Sequence, residues 1–199
     1  GDFDRRRFFR GVTLPPFMPT NGTGRIPDES RFPGDVVIIK GEWLKGKTIF
    51  DVVDDLKEGD VILKGANALD LNRKRAAVLI GHPNGGTIGT AIQAVIGRRV
   101  RLIMPVGLEK RVHGDLDPLA ETVNAPHSEG PRLWPVPGQV FTELDALNLL
   151  TGVKAELIAG GGVCGAEGSI RIALSGNDYQ TSAAESLIKE ICAEPPFQF

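Results

Sequence analysis

Four short apolar runs, separated by helical stripes that end at glycines, constrain this chain more than any other feature. The runs are Val36-Val37-Ile38-Ile39, Asp60 to Lys64, Ala76 to Ile80 and Arg101 to Val106. A run without polar alternation is the pattern of a strand covered on both faces. Between the first two, Thr48 reads as a helix N-cap with Asp51 three residues on. Ile49, Phe50, Val53 and Leu56 then form an apolar stripe that stops near Gly59. A second stripe runs from Thr87 to Ile96 through Ile88, Ala91, Ile92 and Val95, and stops at Gly97. Strands alternating with amphipathic helices predict an α/β layer with a mainly parallel sheet flanked by helices.

The rhythm breaks over residues 107–131, where Gly107, Gly114, Pro118, Pro126, Gly130 and Pro131 interrupt a charged stretch. A domain boundary is expected there. Beyond it, Leu133-Trp134-Pro135-Val136 reads as a short strand and Thr142 to Leu150 as a capped helix. Residues 155–159 and 169–174 alternate as strands, and a last helix spans roughly 182–192. Strand, helix, strand, strand, helix is most of a ferredoxin-like α+β unit, with its final strand falling on Pro196 to Phe199 or absent. The expected layout is therefore an irregular arm over 1–34, an α/β domain over 35–130 and a small ferredoxin-like domain over 131–199.

The arm carries Phe3, Phe8, Phe9, Phe17 and Phe32 beside Arg5, Arg6, Arg7 and Arg10. A basic-aromatic surface for nucleic acid is one reading of it. Packing of those aromatics on the body or on a second subunit is the favoured one, which leaves room for a homo-oligomer. The charges nearly cancel, with 23 basic and 25 acidic residues, so nothing global points to nucleic acid. No apolar stretch approaches the ~18 residues that span a membrane, and no secretory leader pattern is present. Two cysteines, Cys164 and Cys192, cannot frame a chain of 199 residues, and a reducing cytoplasm is the expected setting. His82, His113 and His127 lack metal-ligand spacing, so no metal or cofactor is expected. The sequence opens on Gly1, not Met, and so reads as processed, tagged or the later part of a longer polypeptide.

Glycine is in surplus, at 25 residues, and two loops hold much of it. Gly81-His82-Pro83-Asn84-Gly85-Gly86-Thr87-Ile88-Gly89-Thr90 leaves an apolar run and opens a helix. Helix N-terminal N–H groups favour an anion, and glycines clear the approach. His82, Asn84, Gly85, Gly86, Thr87, Gly89 and Thr90 are candidate ligand-binding residues. The lysine of a phosphate loop is missing, so nucleotide hydrolysis is disfavoured. A second candidate group lies in Lys64-Gly65-Ala66-Asn67-Ala68-Leu69-Asp70, at the carboxyl end of a strand. There Lys64, Gly65 and Asn67 are read as ligand-binding and Asp70 as an acid–base candidate; ordinary turn chemistry explains the same residues. The other loop, Gly160 to Gly168, contains Cys164 and Glu167. Glu167 is the second acid–base candidate, whereas Cys164 has no base or cation beside it in sequence. Lys110, Arg111 and His113 could add to an anion site after the fourth run, with solvated loop charge the alternative.

Gly65-Ala66-Asn67 followed by the Gly81–Thr90 loop, with Ile88-Gly89-Thr90 inside it, resembles the ribose-5-phosphate isomerase, glucosamine-6-phosphate deaminase and CoA-transferase-like superfamily. The resemblance covers about residues 35–107. It implies a small phosphorylated or anionic ligand, sugar- or nucleotide-derived, and either isomerase- or transferase-like catalysis or a regulatory, ligand-sensing role. Asn67 stands where those families often carry Asp, and the lysine that comes after the loop in the isomerases is missing. An isomerase mechanism is therefore not implied.

Overall fold

A computed structural model describes residues 34–195; the expected arm over 1–34 and the final strand over 196–199 fall almost wholly outside the described residues. Strand β3 (Val61–Leu63) starts a parallel sheet of order β3-β6-β8, with β6 at Arg101–Pro105 and β8 at Gln139–Phe141. Along β6 the side chains alternate, so Leu102 and Met104 point into the core while Arg101 and Pro105 are exposed. A second sheet, antiparallel, has the order β4-β5-β7, from Ala68–Asp70, Arg75–Ile80 and Arg132–Val136. The molecule is thus a mixed α/β fold. Its apolar run 76–80 belongs to an antiparallel sheet, in place of the parallel one expected from sequence.

Helix α2 (Gly86–Arg98) joins the two sheets. Its Ile88 and Ala91 pack with Leu69, Ala76 and Val78 of one sheet and Leu102, Met104 and Val140 of the other. At its far end Arg98 donates to the carbonyls of Leu56 and Val53, tying α2 to the turn after α1 (Ile49–Val52). Helix α1 has the expected capping box between Thr48 and Asp51.

Two segments behave differently from their sequence patterns. Val36 to Ile39 is not a buried strand: Lys40 and Gly41, at φ of 51° and 86°, fold it into a hairpin of β1 (Ile38–Ile39) and β2 (Glu42–Trp43). Ile38 and Ile39 are 56% and 49% exposed. Two central residues with positive φ make the tight turn that suits a two-residue hairpin. The stretch 107–131 also holds a helix, α3 (Leu116–Asn124), capped by Asp115 accepting from the Asp117 N–H. Pro118 is in its first turn, where a missing N–H costs nothing.

Strand β7, expected in the second domain, pairs with β5 of the first, and β8, a strand not expected from sequence, pairs with β6. After β8 the chain forms α4 (Glu143–Thr151), the antiparallel pair β9 (Lys154–Gly160) and β10 (Ile170–Ser175), and α5 (Asp178–Cys192). Leu147, Val153 and Ala184 form the core of this last unit, with Ile172, Leu174 and Leu187 packed around them. The helix–strand–strand–helix order after residue 142 is the expected one, but the expected first strand of the unit, β7, is hydrogen-bonded to β5, and β9 and β10 form a sheet of their own. Among the described residues no helix is long and apolar enough to cross a membrane.

Candidate functional site

The glycine loop connects β5 to α2. Its chain turns at His82, whose Nδ1 accepts from the Asn84 N–H at 3.1 Å, while Gly85 N–H donates to the His82 carbonyl at 3.0 Å. Gly85 and Gly86 come next at φ of 78° and 61°, a left-handed conformation that glycine adopts without steric cost. Gly85 is the N-cap of α2, and no side chain caps the helix. The leading N–H groups of a thirteen-residue helix, with its partial positive charge, are thus presented bare of side-chain oxygen.

Two residues that sequence reasoning passed over complete this corner. Trp134 of β7 lies against the loop, its Cζ3 3.0 Å from where a Cβ of Gly85 would stand and 3.7 Å from one at Gly89. Arg132, opposite Ile80 in the β5–β7 register, donates to the carbonyls of Ile80 and Gly81. Its guanidinium therefore sits beside Gly81, the first residue of the loop. Only the strand register brings Arg132 and Trp134 here, and nothing in the sequence near residue 81 announces them.

Not all of the loop's glycines wait for a ligand. Gly85 is filled by Trp134, and a Cβ at Gly89 would come 2.7 Å from the Asn84 carbonyl oxygen. Thr90 turns its hydroxyl back toward the Gly86 carbonyl at 3.5 Å. Gly86 is the more open position, with only His82 Cβ within 4 Å, at 3.9 Å. Thr87 is half-buried beside it.

The remaining candidates separate by their contacts. Asn67 joins the loop's strand: its N–H donates to the Ala77 carbonyl, and its Oδ1 accepts from the Leu79 N–H at 3.0 Å, two residues before Gly81. Asp70 closes the β4–β5 hairpin. It is 4% exposed, and accepts from the Arg73 N–H and guanidinium at 3.0 and 3.1 Å. The Arg73 N–H holds its carboxyl below the usual range; burial opposes this and the guanidinium reinforces it. Glu167 lies in the β9–β10 loop and accepts from the Gly165 N–H at 3.3 Å. That loop is tied by Gly161 N–H to the Ser169 carbonyl and Ser169 Oγ to the Gly161 carbonyl. Cys164 is exposed at its tip with φ 56°.

Lys64 and Gly65 come directly after β3. The Lys64 N–H donates to the Ile103 carbonyl, extending the parallel ladder by one residue. Burial pushes the Lys64 ammonium below the ordinary lysine range; Asp35 opposes this and Lys110 adds to it. Among the described residues no group of three or more His, Cys, Asp and Glu could hold a metal. No family model matches the sequence, and neither a curated protein nor a solved structure matches it.

Proposed function

We propose that this protein binds a small phosphorylated or otherwise anionic metabolite at the start of α2. The observation that carries the reading is a helix N-terminus with Gly85 and Gly86 at positive φ and no side-chain cap, on a loop whose first carbonyl, that of Gly81, accepts from the Arg132 guanidinium. In this reading the N–H groups of Gly86, Thr87 and Ile88 donate to the oxyanion and the Thr87 hydroxyl adds a further donor. Arg132 supplies net charge, while Asn84 and His82 border the ligand. The relation to the ribose-5-phosphate isomerase and CoA-transferase-like superfamily rests on the sequence motifs Gly65-Ala66-Asn67 and Ile88-Gly89-Thr90.

Ligand sensing without turnover is the form of this reading that the acid–base candidates favour. Asp70 is committed to Arg73, and Glu167 to the Gly165 N–H. A general acid or base must reach the proton it moves, and both carboxylates are already engaged within their own turns. The α4–β9–β10–α5 unit, the candidate for a ferredoxin-like domain, would report the bound state. A reducing cytoplasm suits the two free, exposed cysteines.

The test is a thermal-shift screen of phosphorylated sugars and nucleotides, with an assay for turnover of any stabilising compound. A compound that stabilises the wild type, stabilises Arg132→Ala at least five-fold less well, and is returned unchanged supports the reading. Turnover abolished by Asp70→Ala would establish catalysis instead. Stabilisation by none of the compounds would overturn the proposal.

A further inference from the structure

The two faces of the parallel sheet are not alike. Register sets Ile62, Leu102, Met104 and Val140 side by side on one face, and all four pack into the core. Alternation puts Val61, Leu63, Ile103 and Phe141 on the other. None of these four belongs to a buried cluster. Val61 and Leu63 are 50% and 67% exposed, and Ile103 and Phe141 are half-buried. Arg101 and Gln139, hydrogen-bonded to each other at 2.7 Å, give this face its polar side chains. Parallel sheets occur almost only with both faces covered, and a contiguous apolar patch of this kind marks a contact surface. Strand β3 is also an edge, pairing only with β6 among the described residues.

The chain that precedes the described residues joins the body beside this edge. It enters at Gly34. Asp35 is fixed at the head of α1, where its carboxylate accepts from the Ile49 N–H at 2.8 Å. Ile49 and Ile62 of β3 pack on the same cluster of Val53, Ala94 and Val100. Residues 1–33 carry Phe3, Phe8, Phe9, Phe17 and Phe32, side chains that gain far more from an apolar surface than from water.

Charge points to the same pairing. Asp54, Asp55 and Glu58 lead from α1 into β3, and all three are exposed. Among the described residues none of them is in an ion pair. Lys57 is the only cation between Thr48 and Asp60. Residues 1–33 bring Arg5, Arg6, Arg7 and Arg10. A second copy, meeting this face through the same patch, would bring the same acidic rim and no matching run of cations.

We propose that residues 1–33 cover the open face of the sheet in their own chain. Their phenylalanines lie on Val61, Leu63, Ile103 and Phe141, and the Arg5 to Arg10 run lies beside Asp54, Asp55 and Glu58. Extended chain advances about 3.3 Å per residue, so the stretch from Arg10 to Gly34 is several times longer than β3 and reaches both ends of the face. The covering segment completes the second layer that a parallel sheet requires, and it shields the β3 edge from pairing with other chains. The proposed cradle at Gly86 to Ile88 plays no part in it.

The full chain with the photo-cross-linker p-benzoylphenylalanine in place of Leu63 tests this, and Val61 is the second position should the first variant not fold. Irradiated in dilute solution, digested and mapped by mass spectrometry, it should give a bond to residues 1–33 at monomer mass. The yield should be at least five-fold above that from the same probe at Glu121, an exposed position on α3. Replacing the five phenylalanines of residues 1–33 by Ser should lower the yield at least five-fold, and replacing Arg5, Arg6, Arg7 and Arg10 by Glu at least two-fold. A product of dimer mass, bonds to residues 34–195 alone, a yield no higher than at Glu121, or yields undiminished in the Ser or Glu variants would overturn the proposal.

Discussion

The indole of Trp134 occupies the space that a side chain at Gly85 would take, with Cζ3 3.0 Å from the position of that missing Cβ. Strand β7 and the β5–α2 loop are therefore fitted to each other through a glycine. The same aromatic lies 3.7 Å from a Cβ at Gly89, where the Asn84 carbonyl oxygen is closer still, at 2.7 Å. Glycine in a helix usually costs stability relative to alanine. Here the order reverses. Gly89→Ala should destabilise the fold by about 1–3 kcal/mol through overpacking. Gly97→Ala, in the same helix with nothing within 4 Å, should stabilise it by about 0.5–1 kcal/mol. Urea denaturation of both variants measures the contrast, and equal effects of one sign would refute the packing account.

Asp70 and Arg73 give a pH dependence of definite sign. The Asp70 carboxyl is held below its ordinary value in the folded chain. Its contribution is therefore complete above the unfolded-state pKa of about 4 and is lost as pH falls through the lower folded-state value. Asp70→Asn should lower stability at pH 7 by roughly 1–3 kcal/mol, the usual range for disrupting a buried charge-assisted hydrogen bond. The gap between wild type and variant should narrow as pH is lowered below about 4. Chemical denaturation at several pH values measures it. A gap that widens in acid contradicts the assignment.

Cys164 is held at φ 56° in an exposed loop, a conformation that costs an L-residue roughly 1 kcal/mol. Cys164→Gly should leave the protein as stable or raise its stability by up to about 1 kcal/mol. The exposed thiol should also react promptly with a thiol reagent in the native state. A destabilised glycine variant would mean that the thiol makes a contact the fold needs.

The legible parts of the fold were those governed by local chemistry. The Thr48–Asp51 and Thr142–Asp145 capping boxes, the stripe of α2 and the apolar runs at β3, β5 and β6 all act within a few residues of themselves. Pairing does not. The run 76–80 has the composition of a parallel strand, yet Asp70 and Arg73 turn β4 back on it and make it the centre of an antiparallel sheet. Turn-like residues at 65–70 disguised β4, just as Pro118 disguised α3. The glycine loop was readable as a strand-to-helix corner, but Arg132 and Trp134 reach it only through the pairing of β5 with β7, strands far apart in the chain.

Binding of pyrophosphate to the wild type and to Gly86→Val tests the central claim most directly. Valine at φ 61° would carry a branched side chain in a left-handed position and stand over the first N–H groups of α2. Equilibrium binding should show saturable association with the wild type. In Gly86→Val, its native fold checked by circular dichroism and with Arg132→Ala as the second variant should it fail to fold, affinity should fall at least ten-fold. Binding that is absent from the wild type, or that persists unweakened in the folded variant, would contradict an anion site at the head of this helix.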